Sequence, residues 1–145
     1  MSRILKKIIQ NDSKENNMEY VTSKTVDLSY DQAIEQVTSL LKEEGFGVLT
    51  EIDVKDTLKE KLDVDFKKYK ILGACNPNFA HKALQAEDKI GVMLPCNVIV
   101  EEHEDGEVEV SAVNPVASMQ AVSNGELQSI AGQVRTNLEK IINRL

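Results

Sequence analysis

The period of the apolar positions changes along this chain, and each change marks an element. Residues 20–26 predict a first strand. Ser29, with Gln32 three residues on, forms a capping box that opens a helix carrying Ile34, Val37 and Leu41 on one face. Gly45 then supplies a C-terminal stop. Phe46, Val48, Thr50 and Ile52 alternate as a second strand, and residues 54–62 predict a short helix with Leu58 and Leu62 one turn apart. Residues 69–75 predict the third strand. Asn76 caps the helix that follows, with Pro77 in its first turn and Ala80, Ala83 and Leu84 on its buried face.

Residues 91–103 and 107–113 predict a hairpin around Glu104-Asp105-Gly106. A two-residue Asp-Gly loop would pair Val110 with Glu101. A three-residue loop with Gly106 left-handed pairs Val98 with Ala112 and Val100 with Val110, keeping apolar residues on one face, so this register is expected. It turns Cys96 toward the core near Asn114. Pro95 has no N–H for a ladder, which predicts an edge or a bulge there. The last helix is expected to be capped by Ser123, with Glu126 three residues on, and to run for more than about 20 residues. Leu127, Ile130, Ala131, Val134, Leu138, Ile141 and Leu145 line one side of it as the main cover of a sheet. The order β-α-β-α-β-α-β-β-α predicts an α+β fold in which the intervening helices permit some parallel pairing.

Residues 1–17 stand apart from this pattern. Ile4, Leu5, Ile8 and Ile9 have helical spacing among Arg3, Lys6 and Lys7, and a polar stretch follows. One reading is a basic amphipathic anchor for a membrane or a partner. Two turns are too short to hold alone, so an extra short helix with a flexible tail is the reading adopted. Residues 18–145 are then one α+β domain, a length that buries a real core.

Composition narrows the function classes. A net charge of −7 disfavours a nucleic-acid groove, and aromatics at 4% with no Trp disfavour a base-stacking surface. No stretch is long enough for a membrane span and no signal peptide is visible, so a cytoplasmic protein with reduced thiols is expected.

The candidate chemistry lies in Gly73-Ala74-Cys75-Asn76-Pro77 and Leu94-Pro95-Cys96-Asn97, which hold the chain's two cysteines. Cys75 precedes a capped helix whose N-terminal field lowers a thiol pKa, which suits a nucleophile, a redox thiol or a soft-metal ligand. It is equally read as a small buried hydrophobe at a strand end. Cys96 carries the same two readings, with burial favoured. Together with His81, Met93 or Met119 the two thiols could hold Cu(I), Zn or another soft metal, although their spacing is not that of a zinc finger. Asn76 and Asn97 either fix these loops or orient a ligand between them. His81 is a base for Cys75 or a surface histidine. Glu51 and Asp53 share a strand face; Asp53 reads as a helix cap and Glu51 as the better ligand-binding candidate. His103 lies among Glu101, Glu102, Glu104, Asp105, Glu107 and Glu109, a hard-cation site or a solvated acidic hairpin tip.

Glu51-Ile52-Asp53-Val54, Ile71 to Pro77, Ala80-x-x-Ala83-Leu84 and Leu94 to Val98 occur in that order. In this they resemble the family called domain of unknown function 302, over roughly residues 19–145. The resemblance implies a TATA-binding-protein-like architecture: a curved, largely antiparallel sheet with a long C-terminal helix. It also suggests a homodimer, and it implies no reaction. The expected function is therefore a small-ligand or soft-metal site at the two Cys-Asn loops, formed by Cys75, Asn76, Cys96, Asn97 and Glu51. The competing readings are a thiol-dependent enzyme or redox protein using Cys75, and an adaptor with both cysteines in its core.

Overall fold

The computed structural model describes residues 19–145, so the readings made for residues 1–17 lie outside the described residues. Five strands, β1 (Val21–Val26), β2 (Gly47–Asp53), β3 (Tyr69–Cys75), β4 (Cys96–Glu102) and β5 (Val108–Val113), form one sheet in the order β1-β5-β4-β3-β2. All four ladders are antiparallel, so the parallel pairing left open by the element order does not occur. The reason is topological: β1 and β2, joined by the first helix, lie on opposite edges of the sheet and never meet.

The helices are α1 (Tyr30–Glu43), α2 (Val54–Leu62), α3 (Pro77–Ala86), the single turn α4 (Pro115–Ser118) and α5 (Gly125–Asn143). Local chemistry sets their ends. Both halves of the Ser29–Gln32 capping box are made. Gly45 has φ +85°, and Phe46 N–H donates to Leu41 O at 2.9 Å, closing α1 in the left-handed manner that favours glycine. Asp53 caps α2 by accepting from Asp56 N–H at 2.9 Å.

The hairpin has the expected register, Val98 opposite Ala112 and Val100 opposite Val110, with Gly106 left-handed at its turn. Its first strand begins only at Cys96, not at residue 91. Asp88–Met93 is a 3-10 helix that buries Ile90, and its backbone bonds serve that turn rather than a ladder. Pro95 makes neither an edge nor a bulge: it follows a cis Leu94–Pro95 peptide and precedes an interior strand, leaving the ladder intact. The irregularity falls instead on edge strand β2, between Val48 and Thr50.

Two long helices cover one face of the sheet. α1 packs on β2, β4 and β5, and α5 on β1 and β5. Leu72, Val98, Val100 and Val110 meet Val37, Leu41, Leu138 and Ile141 in the main core. α5 is capped by Asn124, not Ser123, and is 19 residues long, a little shorter than expected. Asn124 wins the cap because its amide also donates to Ala86 O at 2.8 Å, which Ser123 could not match.

A second cluster gathers Ala83, Ile90, Met119, Leu127, Ile130 and Ala131 at one end of the sheet. On α3 the residues that reach this cluster beside Ala83 are Phe79 and Ala86, while the expected Leu84 is 44% exposed. The other face of the sheet carries a cross-strand row, Ile52–Ile71–Ile99–Ser111–Ser23, and neither long helix.

Candidate functional site

Two strand ends bring the thiols together. Ala74 and Cys96 are register partners on the core face, so Cys75 stands one residue beyond, at the end of the neighbouring strand. There the chain leaves β3 and enters α3 through Asn76. The Asn76 side-chain oxygen accepts from Asn78 N–H at 3.1 Å and Phe79 N–H at 3.4 Å, while its amide donates to Glu44 O at 3.5 Å. One side chain thereby ties the start of α3 to the end of α1.

Asn114 repeats the device after β5. Its oxygen accepts from Val116 N–H at 3.1 Å, its amide donates to Glu19 O at 2.9 Å, and Pro115 occupies the first helical position. Strand, asparagine, proline, helix thus occurs twice, and Asn114-Pro115 was a legible cap that the sequence reading passed over.

Between these two strand-to-helix corners lies a cavity of about 40 Å³. It is walled by Phe46, Phe79, Pro115 and Val134, and three sulfur-bearing residues, Cys75, Cys96 and Met119, also line it. The cavity sits at the seam of the two hydrophobic clusters. Phe46, Ala74, Cys96 and Val134 come from the first, and Ala83, Met119, Ile130 and Ala131 from the second.

The two thiols differ in exposure. Cys96 is buried, and burial, followed by the nearby Cys75, pushes its pKa from the ordinary 9.0 to about 11. It is a neutral thiol at physiological pH. Cys75 is half-buried and also borders an outer groove with Leu49, Pro77, His81 and Leu84. It therefore forms the boundary between solvent and cavity.

The remaining candidates are dispersed. His81 shares the outer groove with Cys75 and does not line the cavity. Asn97 is exposed opposite Gly73 and does not line the cavity; it borders an adjoining pocket of about 290 Å³ that shares Leu94, Pro95 and Cys96 with the cavity. Glu51 lies exposed on edge strand β2 opposite Leu72, outside the cavity wall. Asp53 is occupied as the α2 cap. Phe46, Phe79, Pro115 and Val134 were not singled out as site residues, because they converge only through packing between distant segments.

Residues 22–145 match the family described as Domain of unknown function DUF302. The chain belongs to that family. Among solved structures, the crystal structure of an uncharacterized conserved DUF302 protein from Bacillus stearothermophilus is similar, with a TM-score of 0.82 and 29% identity. That similarity covers 88% of this chain and 98% of the other. No curated protein matches the sequence. Among the described residues, no helix is long and apolar enough to cross a membrane.

Proposed function

We propose that this DUF302 protein binds a soft metal ion, copper(I), through Cys75, Cys96 and Met119. The observation that carries the reading is that two thiols and a thioether line one apolar cavity of about 40 Å³. That space suits an ion or a very small molecule and is far below the roughly 300–1,000 Å³ of an ordinary ligand pocket. Thiolate sulfur suits both Cu(I) and Zn²⁺, and the thioether, a soft neutral ligand, tips the choice toward Cu(I). Cys96 must lose its proton to ligate, so metal uptake releases protons and tightens as pH rises. Cys75, at the boundary with the outer groove, is the ligand an incoming ion meets first.

The test is anaerobic competition with a chromophoric Cu(I) chelator. The wild-type protein is expected to take up one equivalent and hold it against the chelator. Cys75→Ser and Cys96→Ser are expected to lose that capacity. Undiminished retention by either folded variant sinks the reading.

A second reading rests on the contrast between the two thiols. Cys75 and Cys96 would form a reversible disulfide: one hydrogen peroxide oxidises the two thiols to a disulfide and is itself reduced to two waters. Mass spectrometry of the peroxide-treated apo protein separates the readings. Loss of two hydrogens, restored by a thiol reductant, favours the redox role. Two thiols inert to both copper and peroxide favour an adaptor.

For the surroundings of this site, the reading is a cytoplasmic homodimer with no nucleic-acid partner. The net charge of −7 supports the last point. The row Ile52–Ile71–Ile99 supports a second copy against the open sheet face, where it would remove apolar area from water. Light scattering on the wild type and on Ile99→Glu tests this: a dimer that becomes a monomer is expected, and a monomeric wild type refutes it.

A further inference from the structure

On the open face, away from the thiols, Glu101 and Glu109 are register partners across the β4–β5 hairpin. Like charges directly opposite each other repel, and these are not free in solvent: their side chains are 12% and 29% exposed. His103, at the end of the same hairpin, closes the pair into a triad. Its Nε2 lies 3.0 Å from Glu109 Oε1, and its Nδ1 lies 4.0 Å from Glu101 Oε1. One ligand-type atom from each of the three residues lies within 4.8 Å of the others. A paired hairpin holds all three, so little ordering is needed for them to converge on one ion.

A cation already answers part of this charge. Lys67 Nζ lies 2.7 Å from Glu101 Oε1. One lysine against two carboxylates leaves one negative charge, which a divalent ion in its place would cancel. His103, alone of the three, also borders an open cleft, which it lines with Lys67, Phe66, Lys68 and Glu102 and whose volume is about 580 Å³. An ion held there would have room for waters or an exchangeable ligand in its remaining positions.

We propose that Glu101, His103 and Glu109 form a second metal site, for a borderline divalent ion such as Zn²⁺ or Co²⁺, with Lys67 as its built-in competitor. One imidazole and two carboxylates suit such ions. The site lacks the sulfur a soft ion prefers and the all-oxygen shell of Mg²⁺ or Ca²⁺. It is independent of the thiol cavity and stands or falls apart from it.

The experiment is titration of the Cys75→Ser/Cys96→Ser protein with Co²⁺, followed by its visible d–d absorption, with folding checked by circular dichroism. One equivalent is expected to bind without a thiolate charge-transfer band. His103→Ala and Glu109→Gln in that background are each expected to weaken binding by more than ~10-fold. Lys67→Met is expected to tighten it at least ~3-fold, because the ion no longer displaces an ammonium group. Should the double variant not fold, Cys75→Ser allows the same comparison, with a charge-transfer band reporting any ion on Cys96. Absence of Co²⁺ binding below ~1 mM overturns the proposal, as does equal affinity in the parent and His103→Ala proteins.

Discussion

Pro95 lies over Gly73: a Cβ added at Gly73 would stand 2.8 Å from Cγ of Pro95, nearer than real side chains approach. The Thr50 side chain crowds the same position from the other flank. The glycine is needed for close approach, not for an unusual φ. It lets the proline ring pack against β3 and so sets where β4 starts, with Cys96 as its first residue. Gly73→Ala is expected to destabilise the protein by about 1–2 kcal/mol, as overpacking does, partly offset by a less flexible unfolded chain. Urea unfolding measures this. Because the displaced ring also borders the cavity, the same variant is expected to weaken Cu(I) retention. A stability loss with unchanged retention would show that the cavity does not depend on this contact.

The parts legible in the sequence were those whose causes are local. Ser29 with Gln32, Gly45 and Gly106 each state a backbone requirement within a few residues, and each is met. The hairpin register followed from one face having to stay apolar, and Val98, Val100 and Val110 obey it. Tertiary contacts decided the rest. Ser123 and Asn124 are both good caps in isolation, and a bond to Ala86 selects Asn124. Leu84 and Phe79 both fit a helical stripe, and packing of α3 against α5 partly buries Phe79 and leaves Leu84 exposed. For the site, Cys75, Cys96 and Met119 were named from their chemistry and share one cavity. No sequence spacing could show that Asn97 and Glu51 stand outside its wall.

Asn76 separates a structural role from a ligand role. Its oxygen caps α3 and its amide bridges to Glu44. Asn76→Ala is expected to cost about 1–2 kcal/mol in chemical denaturation. Asn76→Asp keeps the capping oxygen and is expected to recover most of that loss, while removing the amide donor. If the amide is structural only, the Asp variant retains Cu(I) like the wild type. Loss of metal in a stable Asn76→Asp protein would assign the amide to the site.

Met119 offers a substitution that alters chemistry more than packing. It is 4% exposed and lines the cavity with both cysteines. Leucine has similar volume and no sulfur, so Met119→Leu is expected to change stability by less than ~1.5 kcal/mol. Its Cu(I) affinity is expected to fall by about 10-fold if the thioether is a ligand. Chelator competition at fixed pH reads the affinity and thermal unfolding reads the stability. A wild-type affinity in this variant would reduce the site to the two thiols.

Alkaline stability reports on Cys96 directly. Its pKa is raised from 9.0 to about 11 in the folded protein, with burial the larger cause and Cys75 the smaller. The folded state therefore holds this proton more tightly than the unfolded chain. That contribution is complete below pH 9, fades as pH rises toward 11, and is on the order of 2 kcal/mol. Tyr30, raised by burial and by nearby carboxylates from 10.0 to about 12, adds a loss of the same sign at higher pH. Urea midpoints are expected to fall across this range in the wild type. In Cys96→Ala the lower part of the fall is expected to vanish while the Tyr30 part remains. A profile unchanged by Cys96→Ala would mean that the thiol is ionised as easily in the fold as out of it, which is incompatible with its burial among apolar side chains.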